Sequence, residues 1–351
     1  MTSRPVPEPG QIGLALTQAR HADAAQLLEA WLAAHPDDAD GWFNLGFCRR
    51  HLLDADGAIA AYGRALAAGI SEPEQVHVNI AAIQAEVLQD VAAARASLRQ
   101  ALSLQPGFAL AWQNLGQLEE DVGDAAAARA AYEGAGRHAP DLGRPPARLA
   151  AIDVFEGRPA DALARVEAAG ARAGSHDDLV ELAFAAANAL DAMGRHDEAF
   201  DQLMDANELQ KHTGKLRHSQ ADVEAQVNAM IQLFPAEPLP PARDHGIRPI
   251  FICGLFRSGS TLLESLLSRE LGITMGGELA YTPWFMQQHG HAITPATRDD
   301  MAARFAEGYA GFARRVLGDV PRFTDKRMDN FLFLGLIKRA CAEANRDAGR
   351  L

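Results

Sequence analysis

Residues 254–261, read as "GLFRSGST", combine the parts of a phosphate-gripping loop. Gly254 and Gly259 stand five apart, the glycine spacing of the Walker loop in nucleotide triphosphatases. Such a loop needs Lys directly after its second glycine to reach the outer phosphates, and a hydroxyl next to it to hold magnesium. Here Ser260 and Thr261 occupy those places, Ser258 precedes Gly259, and the cation lies upstream as Arg257. A loop built this way is poorly equipped to neutralise a triphosphate, so a nucleoside-triphosphate kinase is the weakest of the readings the segment allows.

The flanking elements must aim this loop. "PIFICG" (249–254) is a short, β-rich apolar run, and "TLLESLLSREL" (261–271) repeats leucine at helical spacing, so the loop joins a buried strand to a helix. A helix start after glycine-permitted turns points several backbone N–H groups at an anion.

The longer stretch "PIFICGLFRSGSTLLESLLS" (249–268) resembles the 5′-phosphosulfate loop of sulfotransferases. The arginine form is that of tyrosylprotein sulfotransferases and of bacterial proteins that join tetratricopeptide repeats to a sulfotransferase domain. "TMGGELAYTP" places Glu278 twenty-one residues after Arg257, where that family carries a glutamate. "FTDKRMDNFLFLGLIKRA" is similar to the family's Asp-Lys-x-Pro-x-Asn-Phe segment, matching Asp325, Lys326, Asn330 and Phe331, with Met328 where proline is usual.

The resemblance implies a partial α/β, P-loop-like domain and sulfuryl transfer from 3′-phosphoadenosine 5′-phosphosulfate to a hydroxyl-bearing acceptor. It implies that Gly254, Arg257, Ser258, Gly259, Ser260 and Thr261 hold the donor, without a metal. Glu278 would be the general base, helped if burial raises its pKa, and Arg257 and Lys326 would stabilise charge on the sulfuryl and leaving phosphate oxygens. It covers residues 249–339. The family's next strand, and the arginine and serine that grip the donor's 3′-phosphate, have no counterpart before Leu351. The expectation is therefore a C-terminally truncated domain with one or two strands and open sheet edges.

The first two thirds of the chain repeat. Trp42, Leu45, Gly46, Ala58, Tyr62 and Ala65 align with Trp112, Leu115, Gly116, Ala128, Tyr132 and Ala135. Ala24, Ala58, Ala94, Ala128, Ala162 and Ala199 recur at intervals of 34, 36, 34, 34 and 37 residues, and Pro36, Pro106 and Pro140 close three units. This resembles the tetratricopeptide pattern of stacked helix pairs, an α-solenoid. Six units are expected, at about 5–38, 39–74, 75–108, 109–142, 143–179 and 180–213, followed by a capping helix in "SQADVEAQVNAMIQLF". Its groove would bind a protein or peptide, and the rival to an enzyme is a repeat scaffold without catalysis.

Charge divides the chain in the same way. Residues 1–242 carry 18 Lys and Arg against 34 Asp and Glu, net −16, whereas residues 243–351 carry 15 against 12, net +3. A total of −13 excludes generic nucleic-acid binding, and only the second part suits an anionic ligand. Cys48, Cys253 and Cys341 are scattered and read as small buried hydrophobes. His289 and His291 read as exposed loop residues rather than a metal pair. With no apolar run near the roughly 18 residues that span a bilayer and no secretory leader, a cytoplasmic protein is expected. The expected domains are repeats at 1–231, a proline-rich linker at 232–248 and the partial catalytic domain at 249–351.

Overall fold

The computed structural model describes residues 6–213, 219–235, 244–255 and 258–341. The chain forms two compact units, 1–217 and 218–351. The first is a series of six helix pairs: α1 Pro9–Thr17 with α2 His21–Ala34, α3 Ala39–His51 with α4 Ala55–Ala67, α5 Pro73–Glu86 with α6 Val91–Leu104, α7 Ala109–Asp121 with α8 Ala125–His138, α9 Arg144–Phe155 with α10 Pro159–Gly170, and α11 His176–Ala192 with α12 His196–Thr213.

Each recurring alanine of the sequence is the fourth residue of the second helix in its pair, and all six are buried. A methyl group there lets neighbouring helices approach where a longer side chain would hold them apart. Gly46 and Gly116 meet the same demand on the first helices. A Cβ at these positions would sit 2.7 Å from the Tyr62 ring and 2.6 Å from the Tyr132 ring. Both tyrosines are fully buried, on α4 and α8.

Equivalent polar contacts recur beside this apolar core. Trp42 Nε1 donates to the Pro36 carbonyl and Trp112 Nε1 to the Pro106 carbonyl, both at 2.8 Å. Arg95 on α6 pairs with buried Glu119 on α7, and Arg129 on α8 with buried Asp153 on α9. The sixth pair departs from the period. It begins at His176 rather than 180, because Ser175 caps α11 by accepting from the Asp178 N–H.

In every pair, one residue of the turn adopts a positive φ two positions before the second helix begins: Ala19, Leu53, Gln89, Gly123, Gly157 and Gly194. A left-handed residue is the usual way to end a helix and reverse the chain, and it favours glycine. Only the last three turns have one.

The second unit begins with α13, Gln220–Leu233, the helix expected to cap the repeats. Within this unit α13 packs on the helical segment 328–333 and on α17, Leu334–Ala340. Its Leu233 carbonyl also accepts from Arg298 Nη1 at 3.0 Å. The expected linker at 232–248 shortens accordingly, with α13 running to Leu233 and strand β1 spanning Arg248–Ile252; residues 236–243 lie outside the described set. Between β1 and strand β2, Arg322–Lys326, come α14 Ser260–Leu271, α15 Tyr281–His289 and α16 Arg298–Leu317.

The two strands pair in parallel, Arg248 opposite Arg322 through Ile252 opposite Lys326. The other edge of β2 bonds to residues 274–277. The Thr324 N–H donates to the Thr274 carbonyl at 3.0 Å and the Lys326 N–H to the Gly277 carbonyl at 2.7 Å. Buried Tyr281, Phe285, Phe305 and Tyr309 pack as a ring cluster against this small sheet, with Phe323 stacked on Tyr309.

The turn geometry yields a prediction of opposite signs. Gly123→Ala should destabilise by about 1 kcal/mol, because a Cβ is strained at positive φ. Gln89→Gly should stabilise by up to about 1 kcal/mol by relieving the same strain, less what the freer unfolded chain takes back. Urea unfolding followed by circular dichroism measures both; a destabilising Gln89→Gly would refute the strain argument.

Candidate functional site

Strand β2 sorts its side chains by alternation. Phe323 and Asp325 turn to α16, where both meet Tyr309. Thr324 and Lys326 turn the other way, to α14. Lys326 is the last residue of β2 and lies in register with Ile252, the last residue of β1, so it stands beside the start of the 253–259 loop. In open parallel sheets, ligands bind outside these carboxyl ends.

Three side chains converge there from distant parts of the sequence. The Lys326 ammonium lies 3.3 Å from Glu278 Oε1 and 3.5 Å from Thr261 Oγ1. The lysine side chain is 13% exposed and that of Glu278 59%. The burial expected of the glutamate is thus not supplied by the described residues; Glu278 reaches the lysine from the solvent side.

The loop ends as its glycines require. Gly259 has φ +86°, in the left-handed region, and directly precedes α14. Its carbonyl accepts from the Leu263 N–H at 2.9 Å. Among the described residues no side chain caps this helix start, which leaves its first-turn N–H groups available to an anion. Gly254, Ser258 and Thr261 are exposed along this path and Ser260 is half-buried. Arg257 lies outside the described residues. Cys253, expected to be buried, is exposed at the start of the loop.

The remaining residues of the lysine motif are structural supports. Asp325 is fully buried, accepting from the Tyr309 hydroxyl at 2.9 Å and from Asn330 Nδ2 at 3.2 Å. The Leu279 backbone also bonds to it. Met328 is buried in place of the usual proline, whereas Phe331 is half-exposed. His289 is no free loop residue, since it ends α15 with its ring edge-on to Phe285. Among the described residues, no three His, Cys, Asp or Glu gather into a metal-ligating group, and no helix is long and apolar enough to cross a membrane.

Sequence reasoning missed one residue, Glu264. It is buried on α14 and accepts from the Gly277 N–H at 3.0 Å and from Thr324 Oγ1 at 2.6 Å. The signal was present, a carboxylate inside the leucine run "TLLESLL" that also carries Thr261.

Comparison with known proteins agrees with this division of the chain. Residues 249–345 match the profile of the sulfotransferase family. An uncharacterised protein of Aquifex aeolicus (strain VF5) is 27% identical over 40% of this chain; the chain spans only 20% of that relative's length. Among solved structures, the C-terminal part of a tetratricopeptide-repeat protein from Cytophaga hutchinsonii has a TM-score of 0.47 at 12% identity, covering 64% of this chain and 86% of that one. PilF of Pseudomonas aeruginosa has a TM-score of 0.45 at 18% identity, covering 62% of this chain and 95% of its own. At TM-scores below 0.5, the helix-pair assignment stands on the buried alanines, facing glycines and turns described above.

Asp325 makes the second unit pH-sensitive. Burial pushes its carboxyl up to about 6, against the bonds from Tyr309 and Asn330, which favour the charged form. A carboxyl with a raised folded-state pKa contributes its stability at low pH and loses it as pH rises from its ordinary value of 3.8 through about 6. Stability should therefore fall by roughly 2–3 kcal/mol across that window. Asp325→Asn should flatten the fall, as measured by chemical unfolding at each pH; an unchanged slope would show that another group causes it.

Proposed function

We propose that this chain, a series of tetratricopeptide-type helix pairs followed by a segment matching the sulfotransferase family, transfers a sulfuryl group from 3′-phosphoadenosine 5′-phosphosulfate to a hydroxyl acceptor. The observation that carries the reading is the convergence of Lys326, Glu278 and Thr261 at the carboxyl ends of the parallel strands, beside the glycine loop. The donor fits this chemistry. A half-buried ammonium, a hydroxyl and an uncapped helix start together suit one anionic phosphosulfate, and none of them requires a metal.

When bound, the donor supplies a sulfur whose bond to the bridging phosphate oxygen breaks as the acceptor oxygen attacks. Thr261, Ser260 and Ser258, with the loop N–H groups, would hold its 5′ end, and Arg257 would add a guanidinium. Glu278 takes the proton of the acceptor hydroxyl, a role open to a carboxylate on the solvent side of the site. Lys326 then turns from its carboxylate partner to the negative charge that grows on the leaving oxygen. The pair seen here keeps both groups ready, each satisfying the other until substrates arrive. The helix pairs would bind the protein or peptide that carries the acceptor hydroxyl.

Calorimetry with 3′-phosphoadenosine 5′-phosphate tests the reading. Glu278→Gln should bind it within about threefold of the unaltered chain while losing about 10²–10⁴-fold in turnover, the usual worth of a general base. Lys326→Ala should weaken binding about 10–100-fold, the worth of one charge-assisted bond. Absence of binding in the millimolar range would sink the proposal.

A further inference from the structure

Glu264 is a buried charge for which the reaction above has no use. Placing a carboxylate within an apolar helix face costs several kcal/mol unless hydrogen bonds compensate it, as a rough measure. Leucine at this position would continue the run of α14 without that cost. Its bonds show what the carboxylate does instead. Oε1 accepts at once from Thr324 Oγ1 at 2.6 Å and from the Gly277 N–H at 3.0 Å, while the same threonine oxygen accepts from the Gly276 N–H at 3.1 Å.

The glycine pair permits this close approach. A Cβ at Gly276 would run into the Thr324 carbonyl, and Gly277 adopts φ +62°. The three anchor points therefore lie on the three segments that deliver the converging side chains. Glu264 follows Thr261 by three residues on α14, Gly277 immediately precedes Glu278, and Thr324 shares a strand face with Lys326.

We infer that Glu264 is a positioning residue. By tying α14, the 276–278 segment and β2 together, it sets the separations among Thr261, Glu278 and Lys326. Its catalytic consequence rests on the sulfuryl-transfer reading, but its geometric effect does not, and the two can be tested apart.

The chain has four lysines, Lys211, Lys215, Lys326 and Lys338. Reductive ¹³C-methylation, which keeps their charge, gives a carbon NMR spectrum simple enough to follow Lys326, assigned by its loss in Lys326→Arg. Glu278→Gln should move the Lys326 signal. Glu264→Ala should move it in the same direction and by at least half as much. Glu264→Gln, which retains an oxygen for both donors, should leave it near its original position. Thr324→Val, which removes the bridge to Gly276, should give an intermediate shift and serves if Glu264→Ala does not fold. Phe305→Leu, a core variant that removes none of these hydrogen-bonding groups, should lower the melting temperature without moving the signal.

A Lys326 signal that stays in place in Glu264→Ala and Thr324→Val while moving in Glu278→Gln would overturn the inference. So would a signal indifferent to Glu278→Gln, since there would then be no pair to position. In turnover assays, Glu264→Ala should lose about tenfold or more in kcat with little change in affinity for 3′-phosphoadenosine 5′-phosphate. A chain that shows the NMR effects but no turnover would retain Glu264 as the positioning residue and remove the sulfuryl-transfer reading instead.

Discussion

A period of two along five residues of strand governs the second unit. Strand β2 is hydrogen-bonded on both edges, to β1 and to residues 274–277, so its register is held from two sides. Alternation then sends Phe323 and Asp325 into the aromatic cluster around Tyr309 and sends Thr324 and Lys326 towards α14. A slip of one residue would exchange the two sets. It would bring the Lys326 ammonium among buried rings and strand the carboxylate of Asp325 away from its tyrosine. The placement of Lys326 beside the loop thus depends on one strand being unable to shift.

The two units satisfy their buried acids by different means. In the repeats, buried Glu119 and Asp153 meet guanidinium groups. Burial alone would raise the Asp153 carboxyl, but Arg129, Arg158 and Arg165 hold it below the usual range. In the second unit, Glu264 and Asp325 are held by hydroxyl, amide and backbone donors. For Asp325 neutral donors do not offset burial, and its carboxyl moves up instead. An acid paired with arginine pins neighbouring helices by charge; an acid held by neutral dipoles shapes backbone, as the bonds to Gly277 and Leu279 on either side of Glu278 illustrate.

Much of this was legible in the sequence because repetition and close packing leave strong marks. The alanines at intervals near 34 residues sit at one equivalent helical position, and Gly46 and Gly116 face tyrosines on the paired helix, sixteen residues later in the chain. The helix α13 is legible too, but its packing on 328–333 and α17 is not, because an amphipathic run shows that a helix exists but not which neighbour covers it. The start of the sixth pair was missed since the Ser175 cap breaks the period. The loop and the lysine motif were legible as residue types, and Lys326, Glu278 and Thr261 do come together. The exposure of Glu278 and the role of Glu264 were not, because both depend on how segments far apart in sequence pack.

The Arg95–Glu119 and Arg129–Asp153 pairs join the second helix of one repeat to the first helix of the next at the same sequence interval, 24 residues. These two junctions therefore each carry an ionic latch in parallel with their apolar contact. Because each arginine remains partly solvated, ions can screen the latches while the alanine contacts persist. Salt then weakens one of the two attractions at each of these junctions and leaves the other in place.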